Sequence, residues 1–109
     1  MSFEVIALRP FQRDLKRLLK KYPSLKKDVA TLGAILERDP FIGKSLGKDC
    51  YKVRLSITSK GRGKSGGGRV ITHVHVAGDT VHLLALYDKA ERDTLSDKEL
   101  EQLLSWIPE

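Results

Sequence analysis

The sequence has a single cysteine, few aromatic residues and no long apolar run. That one cysteine, Cys50, cannot form an internal disulfide, which predicts a reducing compartment and excludes a cysteine-based metal cluster. No apolar stretch approaches the roughly 20 residues that a membrane-spanning helix needs. Residues 1–10 also lack the basic and apolar regions of a secretory signal. These absences predict a cytoplasmic protein with no membrane partner.

Acidic residues are missing from the middle of the chain. None lies between Asp49 and Asp79, and residues 44–70 hold eight Lys and Arg against one acid. The net charge of the 109 residues is +6, although residues 88–109 are acidic. Because Lys and Arg displace counterions from phosphates, a concentrated basic segment favours a polyanionic partner such as a nucleic acid. A solvated basic surface is the alternative, and the placement of the cations decides between the two.

The hydrophobic spacing predicts a single domain, residues 1–109, that begins with a strand and two helices. Residues 3–8 alternate weakly, as in a short strand, and Pro10 suits the first turn of a helix, where its missing N–H has no partner to lose. Apolar residues then recur at helical spacing on both sides of a break at Pro23 and Ser24. Because the linker is so short, these two amphipathic helices are expected to be antiparallel neighbours.

Three more strands and a last helix complete the pattern. Apolar residues alternate with polar ones over residues 51–58 and 69–77, and they run almost continuously over residues 80–87. All three segments are typical of strands. Residues 39–47 have a turn-like composition, and Ser96 with Glu99 forms a capping box that begins the final helix. The order βααβββα predicts an α+β fold, in which an antiparallel sheet is accompanied by an N-terminal helical hairpin and a C-terminal helix.

Alternation within the strands places several cations on one uncovered face of the sheet. With Val53 and Leu55 facing the helices, the alternate residues of the same strand face away from them. Lys52 and Arg54 therefore share the opposite face with Arg69 of the next strand. Each pair of like charges on neighbouring strands lowers the stability of the sheet by up to about 1 kcal/mol. Their presence without interleaved acids favours an anion-binding face. The one apolar residue expected among them is Ile71, which needs a cover or a partner.

A glycine-rich loop and a pair of histidines flank this face. Residues 59–68 contain five glycines and three cations, which predicts a mobile loop that reaches a phosphate. The histidines, at alternate positions of one strand, are suited to contact a base or shuttle protons, and ordinary surface histidines are the alternative. Because no carboxylate is nearby in this stretch, no metal site is predicted. The candidate nucleic-acid contacts in these features are Lys60, Arg62, Lys64, His73 and His75.

Three segments carry a family resemblance: YKVRL at residues 51–55, GRVI at 68–71 after the glycine-rich loop, and LYDKAE at 86–91. With the capped last helix and the βααβββα order, they resemble toxins of the RelE/ParE superfamily over nearly the whole chain, particularly RelE- and HigB-type members. The resemblance implies a type II toxin that cleaves mRNA in the ribosomal A site. It also implies a cognate antitoxin as partner, with operator DNA as a further partner through the antitoxin complex.

The resemblance extends to individual basic residues. Lys52, Arg54 and Arg69 match residues that RelE-type toxins use around the scissile phosphate, and Tyr87 and Lys89 look like those of HigB-type members. In such a reaction the RNA 2′-OH attacks the adjacent phosphate, so no metal or organic cofactor is required. The two arginines suit the phosphorane charge. Lys52 or a histidine is the candidate base, and Tyr87 or Lys89 is the candidate acid.

Two positions depart from the RelE pattern and leave other functions open. Ser96 stands where RelE-type toxins carry a tyrosine near the final helix, and the arginine shortly before it falls near Ala90. Tyr87 and Lys89 are the candidates to cover those roles. The alternatives are a ParE-like protein, which inhibits DNA gyrase without being an enzyme, and an inactive RNA-binding relative. Tyr87 has the further alternative of a purely apolar packing role.

Overall fold

Three α-helices and five β-strands are present in the part of the chain that the computed structural model describes, residues 2–60, 66–92 and 94–108. In chain order the elements are β1 (Glu4–Ala7), α1 (Arg9–Leu19), α2 (Leu25–Arg38), β2 (Lys44–Gly47), β3 (Cys50–Leu55), β4 (Gly68–His75), β5 (Thr80–Asp88) and α3 (Asp97–Leu104). None of the described helices is both long and apolar enough to cross a membrane.

The strands form one sheet in the order β1-β5-β4-β3-β2. The first strand runs parallel to β5, and the other neighbouring strands are antiparallel. The predicted α+β fold, with its helical hairpin, mostly antiparallel sheet and last helix, is therefore confirmed. β5 is buried along almost its whole length, as its continuous apolar pattern predicts for a strand that lies inside the sheet.

The strand β2 is an addition to the predicted order. The sequence predicts a turn over residues 39–47, whereas Lys44–Gly47 pairs antiparallel with β3. Four residues that also contain a register shift are too few to show an alternating pattern. A tight turn joins β2 to β3, with positive φ angles at Lys48 (54°) and Asp49 (61°).

Each face of the sheet carries its own apolar core. The larger core lies between the sheet and helices α1 and α2, and it includes Val53 and Leu55, as alternation in β3 predicts. The second core includes Leu100 of α3 and lies on the opposite face. Ile71, the residue expected to need a cover, is fully buried in this second core. The cationic face is therefore not uncovered along its whole length, because α3 packs on part of it.

Local sequence signals account for two of the three helix starts. Pro10 lies in the first turn of α1. The predicted capping box begins α3: Ser96 Oγ accepts a hydrogen bond from Glu99 N at 3.1 Å, and the Glu99 carboxylate accepts one from Ser96 N at 3.0 Å. Ser24 precedes α2 but its side chain does not cap the helix. Its hydroxyl instead donates to the Asp28 carboxylate at 2.7 Å.

Candidate nucleic-acid interface

Strand register brings the predicted site residues into one line across the sheet. Arg54 of β3 lies directly opposite Arg69 of β4, and Arg69 lies directly opposite Tyr87 of β5. Directly paired residues point to the same face. Lys52 precedes Arg54 by two residues, so it shares this face about 7 Å along the strand. We call these four residues, Lys52, Arg54, Arg69 and Tyr87, the basic row.

The members of the basic row differ in exposure. Arg54 is exposed and Lys52 is partly buried. Arg69 is only 4% exposed, although alternation predicts a surface cation, and its Nη1 donates to the Gly68 carbonyl at 2.9 Å. Burial restricts the rotamers of a long side chain. The Arg69 guanidinium is therefore fixed in the sheet, while Arg54 reaches solvent beside it.

Tyr87 has the packing role that the sequence leaves as an alternative. Its ring is 4% exposed and belongs to the second core, together with Leu100 of α3. The guanidinium carbon of Arg92 lies 5.5 Å from the ring centroid, within the range of a cation–π contact. The ring is thus held between the sheet and the last helix.

Lys60 is a structural residue and not the exposed loop cation that the sequence predicts. Its Nζ donates to Asp88 Oδ1 at 2.8 Å, and the two side chains are only 10% and 1% exposed. The Tyr22 hydroxyl donates to the other carboxylate oxygen at 2.6 Å. Burial opposes ionisation of Asp88, but these hydrogen bonds and that of the Ala90 N–H outweigh it and lower its pKa to about 2. Lys60 is therefore committed to an internal ion pair.

The remaining predicted loop cations have different outcomes. Lys89 is exposed, and its backbone N–H donates to the Gly67 carbonyl at 3.1 Å, which ties the end of β5 to the residue before β4. Arg62 and Lys64 lie outside the described residues. Of the predicted loop and turn cations, Lys89 is thus the one that the structure describes at the surface of the site.

The histidines do not join the basic row. His73 lies four residues from Arg69 along β4, which is about 13 Å. His73 and His82 are cross-strand neighbours whose Nδ1 atoms are 3.4 Å apart, and burial lowers the pKa of both. His75 is exposed beyond them. His73 therefore shares the face of Arg69 by strand alternation, but it lies four residues further along the strand. Among the described residues, no group of three or more His, Cys, Asp or Glu side chains is arranged to hold a metal ion.

A groove of about 1000 Å³ begins at the basic row and extends along β3 to α2. We call it the edge groove. Of its described lining residues, one is acidic, Asp28, and six are basic: Lys27, Lys44, Lys52, Arg54, Arg69 and Lys89. Sequence reasoning missed Lys27 and Lys44. Lys44 is missed because its strand, β2, is not predicted from the sequence. No local pattern distinguishes Lys27 from the other exposed lysines of the helical hairpin.

Comparison with known proteins gives structural neighbours only. No protein-family model matches the sequence, and no curated protein matches it. The toxin–antitoxin complex RelBE2 from Mycobacterium tuberculosis contains a chain that is 22% identical, with a TM-score of 0.63 over 81% of this chain and 99% of that one. A mutant E. coli RelE toxin in the free state is 19% identical, with a TM-score of 0.59 over 97% and 94% of the two chains.

A second structure of the isolated E. coli RelE toxin agrees with these two. It is 18% identical, with a TM-score of 0.57, and the match covers 97% of this chain and all of the toxin. All three matches extend over most of both chains. The chain described here therefore has the fold of the RelE toxins.

Proposed function

We propose that this chain is the toxin of a type II toxin–antitoxin pair and that it cleaves mRNA on the ribosome in the cytoplasm. The observation that carries the proposal is the pairing of Arg54 with Arg69 on adjacent strands, inside a groove whose described lining residues include six cations and one carboxylate. Two arginines directly opposite each other on adjacent strands supply donors that suit the oxygens of a phosphodiester. The fold supports the same assignment, since the E. coli neighbours are RelE toxins.

The proposed reaction uses the RNA itself as nucleophile. The 2′ oxygen forms a bond to the adjacent phosphorus, and the bond from phosphorus to the 5′ oxygen of the next nucleotide breaks. Arg54 and Arg69 stabilise the charge of the phosphorane between these events. Because the nucleophile belongs to the substrate, the chemistry requires neither a metal nor an organic cofactor.

Protons are assigned to groups on either side of the two arginines. Lys52 shares the face of the basic row and takes the proton of the 2′-OH. Lys89, exposed at the end of β5 and part of the groove lining, protonates the leaving oxygen, with the Tyr87 hydroxyl as the alternative donor. A histidine base is not favoured, because His73 lies about 13 Å along the strand from Arg69.

Primer extension on mRNA from a cell-free translation reaction tests the proposal. The wild-type protein is expected to create new mRNA ends, and Arg54→Ala is expected to slow their appearance at least ~100-fold, as the loss of one preorganised charge donor does. Arg54 is exposed, so the change tests chemistry and not folding. Lys98→Ala, an equal change in charge on the exposed side of α3, is the control and is expected to keep full activity.

The other candidate functions give different results in this assay and in a DNA supercoiling assay. A gyrase inhibitor of the ParE kind leaves mRNA intact and keeps plasmid DNA relaxed in a supercoiling assay. An inactive RNA-binding relative also leaves mRNA intact, but it does not prevent supercoiling of the plasmid. Either result, obtained with folded wild-type protein and active ribosomes, contradicts the proposed nuclease.

A cognate antitoxin is part of the proposal. It is supported by the M. tuberculosis neighbour, which is a toxin–antitoxin complex. We expect the antitoxin to cover the basic row with an acidic or amphipathic segment. A complex of the two proteins is also the form in which this chain would reach operator DNA. Co-expression with the product of the adjacent reading frame, followed by co-purification and a cleavage assay, tests this partner.

A further inference from the structure

The edge groove continues beyond the residues that the proposed cleavage uses. β2 pairs with β3 only as far as Lys52, so the outer edge of β3 from Val53 onwards faces α2 instead of another strand. The groove follows this edge, with the basic row at one side and Lys27 and Thr31 of α2 at the other. Its volume of about 1000 Å³ is at the upper end of the range for ligand pockets, which is more than a single phosphate needs.

Lys44 extends the basic row onto the neighbouring strand. It lies directly opposite Lys52 in the β2–β3 pair, so the two ammonium groups share one face of the sheet. Like charges in this position destabilise a sheet. Gly43 fixes the arrangement, since its φ is +98° and a Cβ at this position would lie 2.5 Å from the Lys52 carbonyl oxygen. Lys44 and Lys52 are thus held on the same face of the sheet, at the rim of the edge groove.

The one described carboxylate of the groove, Asp28, is held by hydroxyl and backbone groups. Asp28 accepts hydrogen bonds from the Ser24 hydroxyl at 2.7 Å, the Thr58 hydroxyl at 2.7 Å and the Thr58 N–H at 3.0 Å. Its charge is therefore directed into the contact between α2 and the segment after β3. Lys27 and Lys44 are both exposed, and neither belongs to an ion pair identified among the described residues.

Apolar side chains also line the groove. Ile35 of α2 and Ile42 line the same groove, and both side chains are partly exposed. A groove lined by both apolar side chains and cations suits single-stranded nucleic acid, whose bases present apolar faces and whose backbone carries the negative charge.

We propose that the edge groove binds the single-stranded RNA that flanks the scissile phosphate, with Lys27 and Lys44 contacting backbone phosphates beyond the one at Arg54 and Arg69. This inference rests on the proposed function for the identity of the RNA as substrate. An extended acidic peptide added to the free edge of β3 is the other conceivable occupant. The polyanion is favoured because the cations come from both sides of the edge, whereas a peptide strand uses mainly the backbone of β3.

Binding of RNA oligonucleotides of two lengths tests the inference. The probes are a trinucleotide and a dodecanucleotide, both 2′-O-methylated so that they cannot be cleaved, and binding is followed by fluorescence anisotropy over a range of salt concentrations. The test variant is Lys27→Gln combined with Lys44→Gln. Its matched control is Lys16→Gln combined with Lys20→Gln, which removes two exposed charges, one in α1 and one just after it, outside the groove.

The groove variant is expected to bind the dodecanucleotide at least ~10-fold more weakly than the wild type, with a salt slope smaller by about 1.4, the value for two lost contacts to single-stranded phosphates. Its affinity for the trinucleotide, and both affinities of the control variant, are expected to change less than about twofold. Equal losses of dodecanucleotide affinity in the groove and control variants overturn the inference. A groove variant that loses affinity only for the purified antitoxin also overturns it, because the occupant is then a peptide. If the ribosomal assay shows no cleavage while the groove variant still loses dodecanucleotide affinity selectively, the proposed nuclease fails and the RNA groove stands.

Discussion

Replacement of Asp88 by asparagine tests the buried ion pair at the end of β5. Asn has nearly the shape of Asp but no charge, so the change leaves the Lys60 ammonium, whose side chain is 10% exposed, without its partner. Removing one member of a buried pair costs about 3–5 kcal/mol. At the lower bound of about 3 kcal/mol, the melting temperature of a domain of this size falls by roughly 12–24 °C.

Urea denaturation and thermal scans of wild type and Asp88→Asn measure this loss. Tyr22→Phe is the graded control, because it removes one hydrogen bond to the same carboxylate and keeps the ion pair; its expected cost is about 1.5–3 kcal/mol. A second control, Asp88→Asn combined with Lys60→Met, is expected to be more stable than Asp88→Asn alone, since it removes the uncompensated charge. An Asp88→Asn protein within about 1 kcal/mol of wild type, which is what one ordinary hydrogen bond contributes, refutes the reasoning.

The same residue makes the stability of the fold depend on acid pH. The pKa of Asp88 is about 2 in the folded state and 3.8 in its ordinary state, so the unfolded chain binds more protons between these values. The stabilisation is present in full above pH 4 and is lost as the pH falls through 2, a total of about 2 kcal/mol. The difference in unfolding free energy between wild type and Asp88→Asn is therefore expected to shrink from pH 6 to pH 2. A difference that stays constant over this range contradicts the assigned pKa.

Two further predictions concern local geometry. Asp49→Gly replaces a residue whose φ is 61°, in the turn between β2 and β3, by one that adopts this angle without strain. The change is expected to raise the unfolding free energy, measured by urea denaturation, by about 0.5–1 kcal/mol. A lower unfolding free energy contradicts this expectation and shows that the Asp49 side chain has a role in the turn. Ser96→Ala removes the hydroxyl that accepts from Glu99 N and is expected to cost about 1 kcal/mol, whereas Ser96→Asn is expected to cost much less, because asparagine is an equally good N-cap.

The part of the site that the sequence predicts is the part that depends on short-range alternation. Arg54 and Arg69 lie on the expected face because β3 and β4 pair without a register shift at these positions. The capping box of α3 is predicted for the same reason, since both of its residues lie within one turn. Such features depend only on neighbouring residues and on a strand period of two.

The part that the sequence does not predict depends on contacts between distant segments. The partner of Lys60 is Asp88, which is 28 residues away, so a cation that looks like a loop residue is buried. The amphipathic pattern of α3 shows that one side of the helix packs against another part of the protein, but it does not show which part. Ile71, an apolar residue on a cationic face, is the one sequence signal for the position of α3. Lys27 reaches the groove only because α2 crosses beside the free edge of β3, and no local period records that path.

The double attachment of the segment between β3 and β4 has a consequence for variation of this protein. Lys60 is bound to Asp88, and the carbonyl of Gly67 accepts from Lys89, so both ends of the intervening stretch are fastened to consecutive residues after Tyr87. Doubling the length of a tethered stretch costs only about 0.6 kcal/mol in closure entropy. A longer chain between Lys60 and Gly67 is therefore expected to cost little stability and to leave Arg69 and Lys89 in place, because the two fastenings do not involve the inserted residues.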